Sequence, residues 1–311
     1  MKKALDYIFF ARPVLFPPVW TIVILGVRAA DLREGASPII PADIASISWP
    51  FLMLMFFVTC LYAGVYVFNQ IYDIESDRKN NKLFFLAEGM ISIPSAFTFM
   101  ILLDVVAVAG GFYIANRIGY LFLIILVLGI LYSHPLTNFK GKPSHGYWSN
   151  VIGHGMVPFM IGWAYYDHVT LEAAIKSIPY ICGVGAIYLN TTLPDREGDR
   201  AVGKITHGVN WGVKSTMKAS VFLLVLSLIT AQMAGDYAYL IAGLIALPFF
   251  IRALITRKMS DIVFSTKIAI LALSLFACIY FPLYIVILVV GFFAARSYYK
   301  TRFNLDYPSA K

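Results

Sequence analysis

Charge is scarce in this sequence: Asp, Glu, Lys and Arg make up 14% of its 311 residues, against 59% hydrophobic residues. That imbalance excludes a pair of soluble domains, which the length alone would allow, and makes the chain an integral membrane protein. Cysteine is nearly missing. Cys60, Cys182 and Cys278 each stand alone inside an apolar run, which excludes a disulfide framework and any thiolate metal-ligand spacing. They read as small core residues. No cleavable signal peptide is expected from the first residues given, because Arg12 and Pro13 interrupt the first apolar region, no small-residue cleavage site closes it, and many further spans follow. No fixed-period repeat of the solenoid kind occurs.

What the chain does contain is a series of hydrophobic stretches, over 14–30, 50–69, 96–115, 120–132, 151–166, 174–193, 217–234, 237–255 and 262–295. Most suit helices crossing a ~30 Å hydrocarbon core. The stretch at 120–132 is short and is expected to extend at both ends. The last would be roughly 50 Å long as one helix, too long even when tilted, so a break at Pro282 is expected. The expectation is an all-α integral membrane protein: one domain over 1–311, a bundle of nine to ten transmembrane helices around a central apolar cavity with a polar cap on the cytosolic side.

The net charge of +8 is unevenly spread. Basic residues gather at the N-terminus (Lys2, Lys3, Arg12) and in alternate loops (Arg78, Lys79, Lys82; Lys140, Lys142; Arg196, Arg200, Lys204, Lys214; Arg257, Lys258). The positive-inside rule puts the N-terminus and these loops in the cytoplasm, as in a multi-pass protein of the cell inner membrane. Nucleic acid is not needed to explain the charge. The proline-rich connector at 31–49 reads as exterior, and the LFFL segment at 83–86 as a cap lying against the membrane.

The acidic minority is patterned. In FNQIYDIESD, residues 68–77, Asn69, Asp73 and Asp77 are spaced by four and would form a column of oxygens on one helix face at the end of a span. Asp195 and Asp199 in LPDREGDR repeat that spacing at the end of another apolar run. Ionisable groups so placed are costly and functional by default. Carboxylates and an amide oxygen, without thiolates or a histidine cluster, favour a hard cation such as Mg²⁺, commonly held by carboxylates together with phosphate oxygens. Two such faces would hold a diphosphate head group while apolar walls receive its tail. If the tail is allylic, the departing diphosphate leaves a carbocation that apolar and aromatic walls shelter from water. Arg200 and Lys204 follow Asp199, and Lys140 and Lys142 stand in the proline-broken YSHPLTNFKGKP. Each pair reads either as a phosphate contact or as ordinary inside-facing charge. His154 reads as a packed or hydrogen-bonded histidine, and Gly153, Gly155 and Gly162 suit close helix packing in lipid.

FNQIYDIESD resembles the first aspartate motif, NDxxDxxxD, of the UbiA superfamily of intramembrane prenyltransferases, and LPDREGDRAVGK is similar to its second, DxxxGD with a basic, glycine-containing loop. FARPVLF, GMIS and YSHPLTNFK resemble the family's RP, GxIS and YSxPPxRxK elements. Order and spacing agree over nearly the whole chain. The resemblance implies Mg²⁺-dependent transfer of an isoprenyl group from an isoprenyl diphosphate to an aromatic or other lipophilic acceptor, of quinone, chlorophyll or lipid biosynthesis type. It implies that Asn69, Asp73, Asp77, Asp195 and Asp199 hold Mg²⁺, the four aspartates serving catalysis. Arg12, Lys82, Tyr132 and Lys140 fall where members place diphosphate or pocket contacts. Several positions depart from the pattern: Gln70 replaces an Asp, Phe84 and Phe85 an Arg-Pro, Asn138 an Arg, and Thr191 and Thr192 a Lys-Asp pair. These bear on the acceptor more than the donor. Two other classes use intramembrane acids. A CDP-alcohol phosphotransferase would carry a DGxxAR arrangement, which is absent, and a transporter would favour acids near the midplane.

Overall fold

The computed structural model describes residues 2–33, 49–79 and 84–308, and among these every regular element is helical. Most of the connector expected to be exterior, and Lys82, lie outside the described residues. In chain order the helices are α1 (Lys2–Phe10), α2 (Phe16–Arg33), α3 (Trp49–Lys79), α4 (Phe84–Ala87), α5 (Ile93–Ile114), α6 (Asn116–Ser133), α7 (Pro143–Val151) and α8 (Val157–Tyr166). They continue as α9 (Leu171–Lys176), α10 (Ile178–Thr191), α11 (Arg196–Ala201), α12 (His207–Ala234), α13 (Tyr237–Thr256), α14 (Met259–Tyr280) and α15 (Leu283–Phe303).

Among the described residues, eight stretches are long and apolar enough to cross a membrane: Lys3–Leu32, which joins α1 to α2, then most of α3, and α5, α6, α12, α13, α14 and α15. The protein is thus a multi-pass integral membrane protein. Prolines explain most of the interruptions. The break expected in the last stretch falls at Phe281 and Pro282, between α14 and α15. The helix expected at 151–166 starts earlier, as α7, and passes through a π-helical turn, Ile152–Met156, before α8. Pro158 cannot donate to the carbonyl of His154 and its ring crowds that oxygen, so the wider turn accommodates it. The stretch expected at 174–193 is divided at Ser177, two residues before Pro179, leaving α10 only 14 residues long. Helix α6 does extend past its apolar core at both ends.

Small residues let the helices approach. At the crossing of α2 and α8, a Cβ added to Gly162 would stand 2.0 Å from the Val23 carbonyl oxygen, and one added to Gly26 2.2 Å from that of Phe159. Any larger side chain would force the backbones apart. Hydrogen bonds supplement this packing: the Thr21 hydroxyl lies 2.9 Å from that of Ser274 and 3.0 Å from that of Tyr284, joining α2 to α14 and α15. Asp6 accepts from Tyr298 and, at 3.2 Å, from Arg302, tying α1 to α15.

Phe85, in the LFFL segment, is 1% exposed and packs among Phe10, Tyr298 and Phe303, which anchors α4 against α1 and α15.

Candidate active site

Helix α3 runs unbroken for 31 residues, roughly 46 Å at 1.5 Å per residue, so its acidic end projects past a ~30 Å core. One face carries Asn69, Asp73 and Asp77, and the same face continues inward as Tyr66 and Tyr62. Asn69 donates its amide to Ser133 Oγ at 3.2 Å. Gln70, off that face and 2% exposed, donates Nε2 to the carbonyls of Phe10 (2.8 Å) and Tyr66 (3.1 Å). Gln70, one of several positions that depart from the pattern of the motifs, thus clamps α1 to α3.

Asp73 meets a cation from far along the chain. After α6 the backbone turns through Asn138, at φ 44°, into a short 3₁₀ turn, Phe139–Gly141. This sets Lys140 Nζ 2.7 Å from Asp73 Oδ1, with the lysine side chain only 9% exposed. Lys142 instead lies over the Phe139 ring.

The second acidic pair is built differently from the expected span end. Helix α10 stops at Thr191, and Pro194, which disfavours helical backbone at Leu193, precedes a separate short helix, α11. Asp195 caps α11, and its carbonyl accepts the Asp199 N–H at 2.8 Å, so the spacing of four still places both acids on one turn. Gly203, at φ 73°, then turns the chain back. Lys204 donates its backbone N–H to the Asp199 carbonyl at 2.9 Å and places Nζ 3.4 Å from Asp199 Oδ1.

The two motifs converge. Helix α11 packs on α3. Burial, reinforced by Asp195 and Asp73 and opposed by Lys204, holds the 3%-exposed Asp199 carboxyl above the usual carboxylate range. Burial works against the Lys204 charge, but Tyr132, Asp199 and Asp73 outweigh it and the net shift is upward. Asp73, Asp199, Lys204 and Tyr132 therefore share one electrostatic environment, at the end of α6 and the edge of α3. Asp77 is partly buried one turn beyond Asp73, and Arg200 is exposed, leaving Lys204 as the partner of Asp199.

Beside this cluster lies a cavity of about 630 Å³. Its walls include Arg12 and Asp195 among apolar residues such as Val14, Leu15, Phe85 and Val263. Arg12 sits between α1 and the 3₁₀ turn Pro13–Leu15 with left-handed backbone, φ 61° and ψ 56°. A non-glycine residue there stores roughly 1–3 kcal/mol, a cost met at functional positions. Sequence reasoning did not single out Tyr62 or Tyr66. The Tyr62 hydroxyl donates to the Gly153 carbonyl, and the Tyr66 hydroxyl lies 3.4 Å from His154 Nε2 in the π-helical turn. His154 is thus hydrogen-bonded and packed on tyrosine rings, as expected. Among the described residues, no three His, Cys, Asp or Glu side chains are gathered closely enough to hold one metal ion.

Acids and lysines thus meet beside an apolar chamber at one end of a helical membrane bundle. The chain belongs to the UbiA prenyltransferase family, whose model matches residues 37–262, and is accordingly a prenyltransferase. Solved structures share the fold. A digeranylgeranylglyceryl phosphate synthase is similar with 21% identity and a TM-score of 0.64, over 89% of this chain and 99% of that one. A UbiA homolog from Archaeoglobus fulgidus, bound to DMAPP and Mg²⁺, has 17% identity and a TM-score of 0.65 over 90% and 99%. The homolog from Aeropyrum pernix K1 has 14% identity and a TM-score of 0.64 over 88% and 97%. A comparison with curated protein sequences gave no match.

Proposed function

We propose that the chain, acting as a single domain, transfers an isoprenyl group from an isoprenyl diphosphate to an aromatic or other lipophilic acceptor, with Mg²⁺ as cofactor. The observation that carries this reading is the meeting of Asp73 and Asp199, from the two motifs, around Lys140, Lys204 and Tyr132 beside an apolar cavity. The donor set suits a hard cation, being all oxygen: Asn69, Asp73 and Asp77 on α3, Asp195 and Asp199 on α11. Asp73 and Asp199 are here compensated by lysines, which is consistent with a site built to exchange ammonium for metal as substrate arrives. When bound, Mg²⁺ would supply charge neutralisation on the diphosphate.

The chain's own groups do the rest. Lys140 and Lys204, once released from their carboxylates, and Arg12 at the cavity wall face the diphosphate as the C1–O bond breaks and its electron pair leaves with oxygen. Tyr132 helps to shape the site at its inner edge. The apolar walls keep water from the allylic cation until the acceptor attacks C1 and gives up a proton. The archaeal homolog bound to DMAPP and Mg²⁺ supports this assignment. Lys82 remains a proposed diphosphate contact on the strength of the family pattern. The gathering of basic loops at the motif-bearing end supports an active site open to the cytoplasm, in the inner membrane of the cell.

The test is diphosphate release by purified protein supplied with Mg²⁺, a labelled isoprenyl diphosphate and a panel of acceptors. Asp73→Asn and Asp195→Asn should each lower it by roughly 10²-fold or more, and full activity in either variant would exclude the two-motif site.

A further inference from the structure

Tyr66 and His154 are polar groups set among apolar side chains. On the face of α3 that carries Asn69 and Asp73, Tyr66 lies one turn further into the span and is 8% exposed. Its ring stacks on Phe16 and on the His154 imidazole, and its hydroxyl is 3.4 Å from His154 Nε2. The charge of Arg12, a proposed diphosphate contact, acts on the same hydroxyl. His154 belongs to the π-helical turn Ile152–Met156, a kind of turn that recurs at functional sites. Helices α2, α6 and α10 pack on this turn, and α3 reaches it through Tyr62 and Tyr66. His154 is nevertheless only partly buried, so the surface it keeps faces the inside of the bundle instead of lipid. The imidazole also approaches the Asn150 carbonyl one turn back, while Nδ1, the ring nitrogen nearer the backbone, is enclosed and completes no hydrogen bond. The Asn150 side chain in turn meets the Tyr132 hydroxyl. A line of polar groups therefore runs from Tyr66 through His154, Asn150 and Tyr132 to the cluster around Asp73 and Asp199.

Transfer to any acceptor releases a proton, and the carboxylates of the two motifs are committed to the cation. A neutral imidazole with its hydrogen on Nδ1, toward Asn150, leaves Nε2 to accept from the Tyr66 hydroxyl, whose oxygen keeps a lone pair for a second donor. The 3.4 Å separation is long, as such contacts are before substrate tightens them. We propose that Tyr66 and His154 together are the base of the reaction, Tyr66 taking the proton from the acceptor and His154 receiving one from Tyr66. As the nucleophilic atom of the acceptor bonds to C1, its proton passes to the Tyr66 oxygen while the Tyr66 proton passes to Nε2. The electron pair of the broken C1–O bond leaves on the diphosphate, and the imidazolium gives its proton to water before the next turnover. This rests on the proposed prenyl transfer and adds the step that completes it.

The test separates breaking the C1–O bond, which needs no base, from transfer, which does. It uses the full chain in neutral detergent with Mg²⁺ and geranyl diphosphate carrying tritium in the geranyl group and ¹⁸O at the bridging position. Without acceptor, movement of ¹⁸O from the bridging to the non-bridging positions reads cleavage and return. With a lipid extract of the native membranes, added until the rate levels off, tritium entering the lipid reads transfer. Tyr66→Phe and His154→Gln should each lower transfer by roughly 10²-fold or more, the scale of general base catalysis. Oxygen exchange in both should stay at the wild-type rate or rise, because a cation that is not captured returns to diphosphate. Exchange at that rate also shows that a variant is folded and binds the donor. Full transfer in either variant overturns the proposal. So does a fall of exchange in step with transfer in both, which would make the pair a support of the diphosphate site. Wild type that shows neither exchange nor transfer would overturn the prenyl-transfer reading itself.

Discussion

Replacing Asp73 by Asn and Lys140 by Met, singly and together, separates what this pair contributes to folding from what it contributes to the reaction. The charged atoms are 2.7 Å apart and the side chains are 17% and 9% exposed, so neither charge is well hydrated. Each single replacement leaves its partner's charge buried beside a neutral neighbour. Members of one ion-pair network couple by about 0.5–3 kcal/mol, and burial places this pair toward the upper end, about 2–3 kcal/mol, above the ~0–1 kcal/mol of surface pairs. Each single variant should therefore unfold at lower denaturant, while the double variant, with both charges gone, regains most of that loss. Activity should not follow stability. Both singles and the double should lose roughly 10²–10³-fold in turnover, the scale of removing one electrostatic contact to a departing group. Denaturant titration of all four proteins, beside diphosphate release from a labelled isoprenyl diphosphate, reads both quantities. A strictly additive cycle, or recovery of turnover in the double variant, would refute this account.

Three further outcomes are expected. Gln70→Asp, which restores the family's usual residue, should destabilise the protein by about 1–3 kcal/mol by removing the donor to Phe10 and Tyr66 and burying a charge, and should not tighten Mg²⁺ binding; thermal denaturation and metal titration check this. Arg12→Gly and Arg12→Ala should both weaken isoprenyl diphosphate binding, but the glycine variant should be the more stable by about 1 kcal/mol, because φ is 61° there. The Asp199 carboxyl lies above the usual range, with burial the leading cause. A raised folded value means that protonation favours the folded state, so acidification from that value toward the unfolded one costs this group no stability and removes only its ionised form. Binding of isoprenyl diphosphate with Mg²⁺ should weaken across that window while the melting temperature does not fall with it, and Asp199→Asn should lack the step.

The first motif was legible because α3 is continuous, so a spacing of four in sequence is a column in space. The second kept its spacing but changed its setting: Pro194 ends α10 early and puts Asp195 and Asp199 on their own short helix. The break at Pro282 could be read from span length alone, whereas the π-helical turn before Pro158 could not, since a proline near a helix start is compatible with ordinary helix. Partner choice was hidden. Nothing local says that Lys140 meets Asp73, 67 residues away, or that Phe85 turns inward to Phe10.

The claim that everything else depends on is that the acids of α3 and α11 act on one metal-bound diphosphate. Electron paramagnetic resonance of Mn²⁺, substituted for Mg²⁺ and titrated into the purified protein with and without geranyl diphosphate, tests it directly. Tight Mn²⁺ binding should require geranyl diphosphate and should be lost alike in Asp73→Asn and Asp199→Asn. Wild-type Mn²⁺ affinity in either variant would show that the two motifs do not share a site.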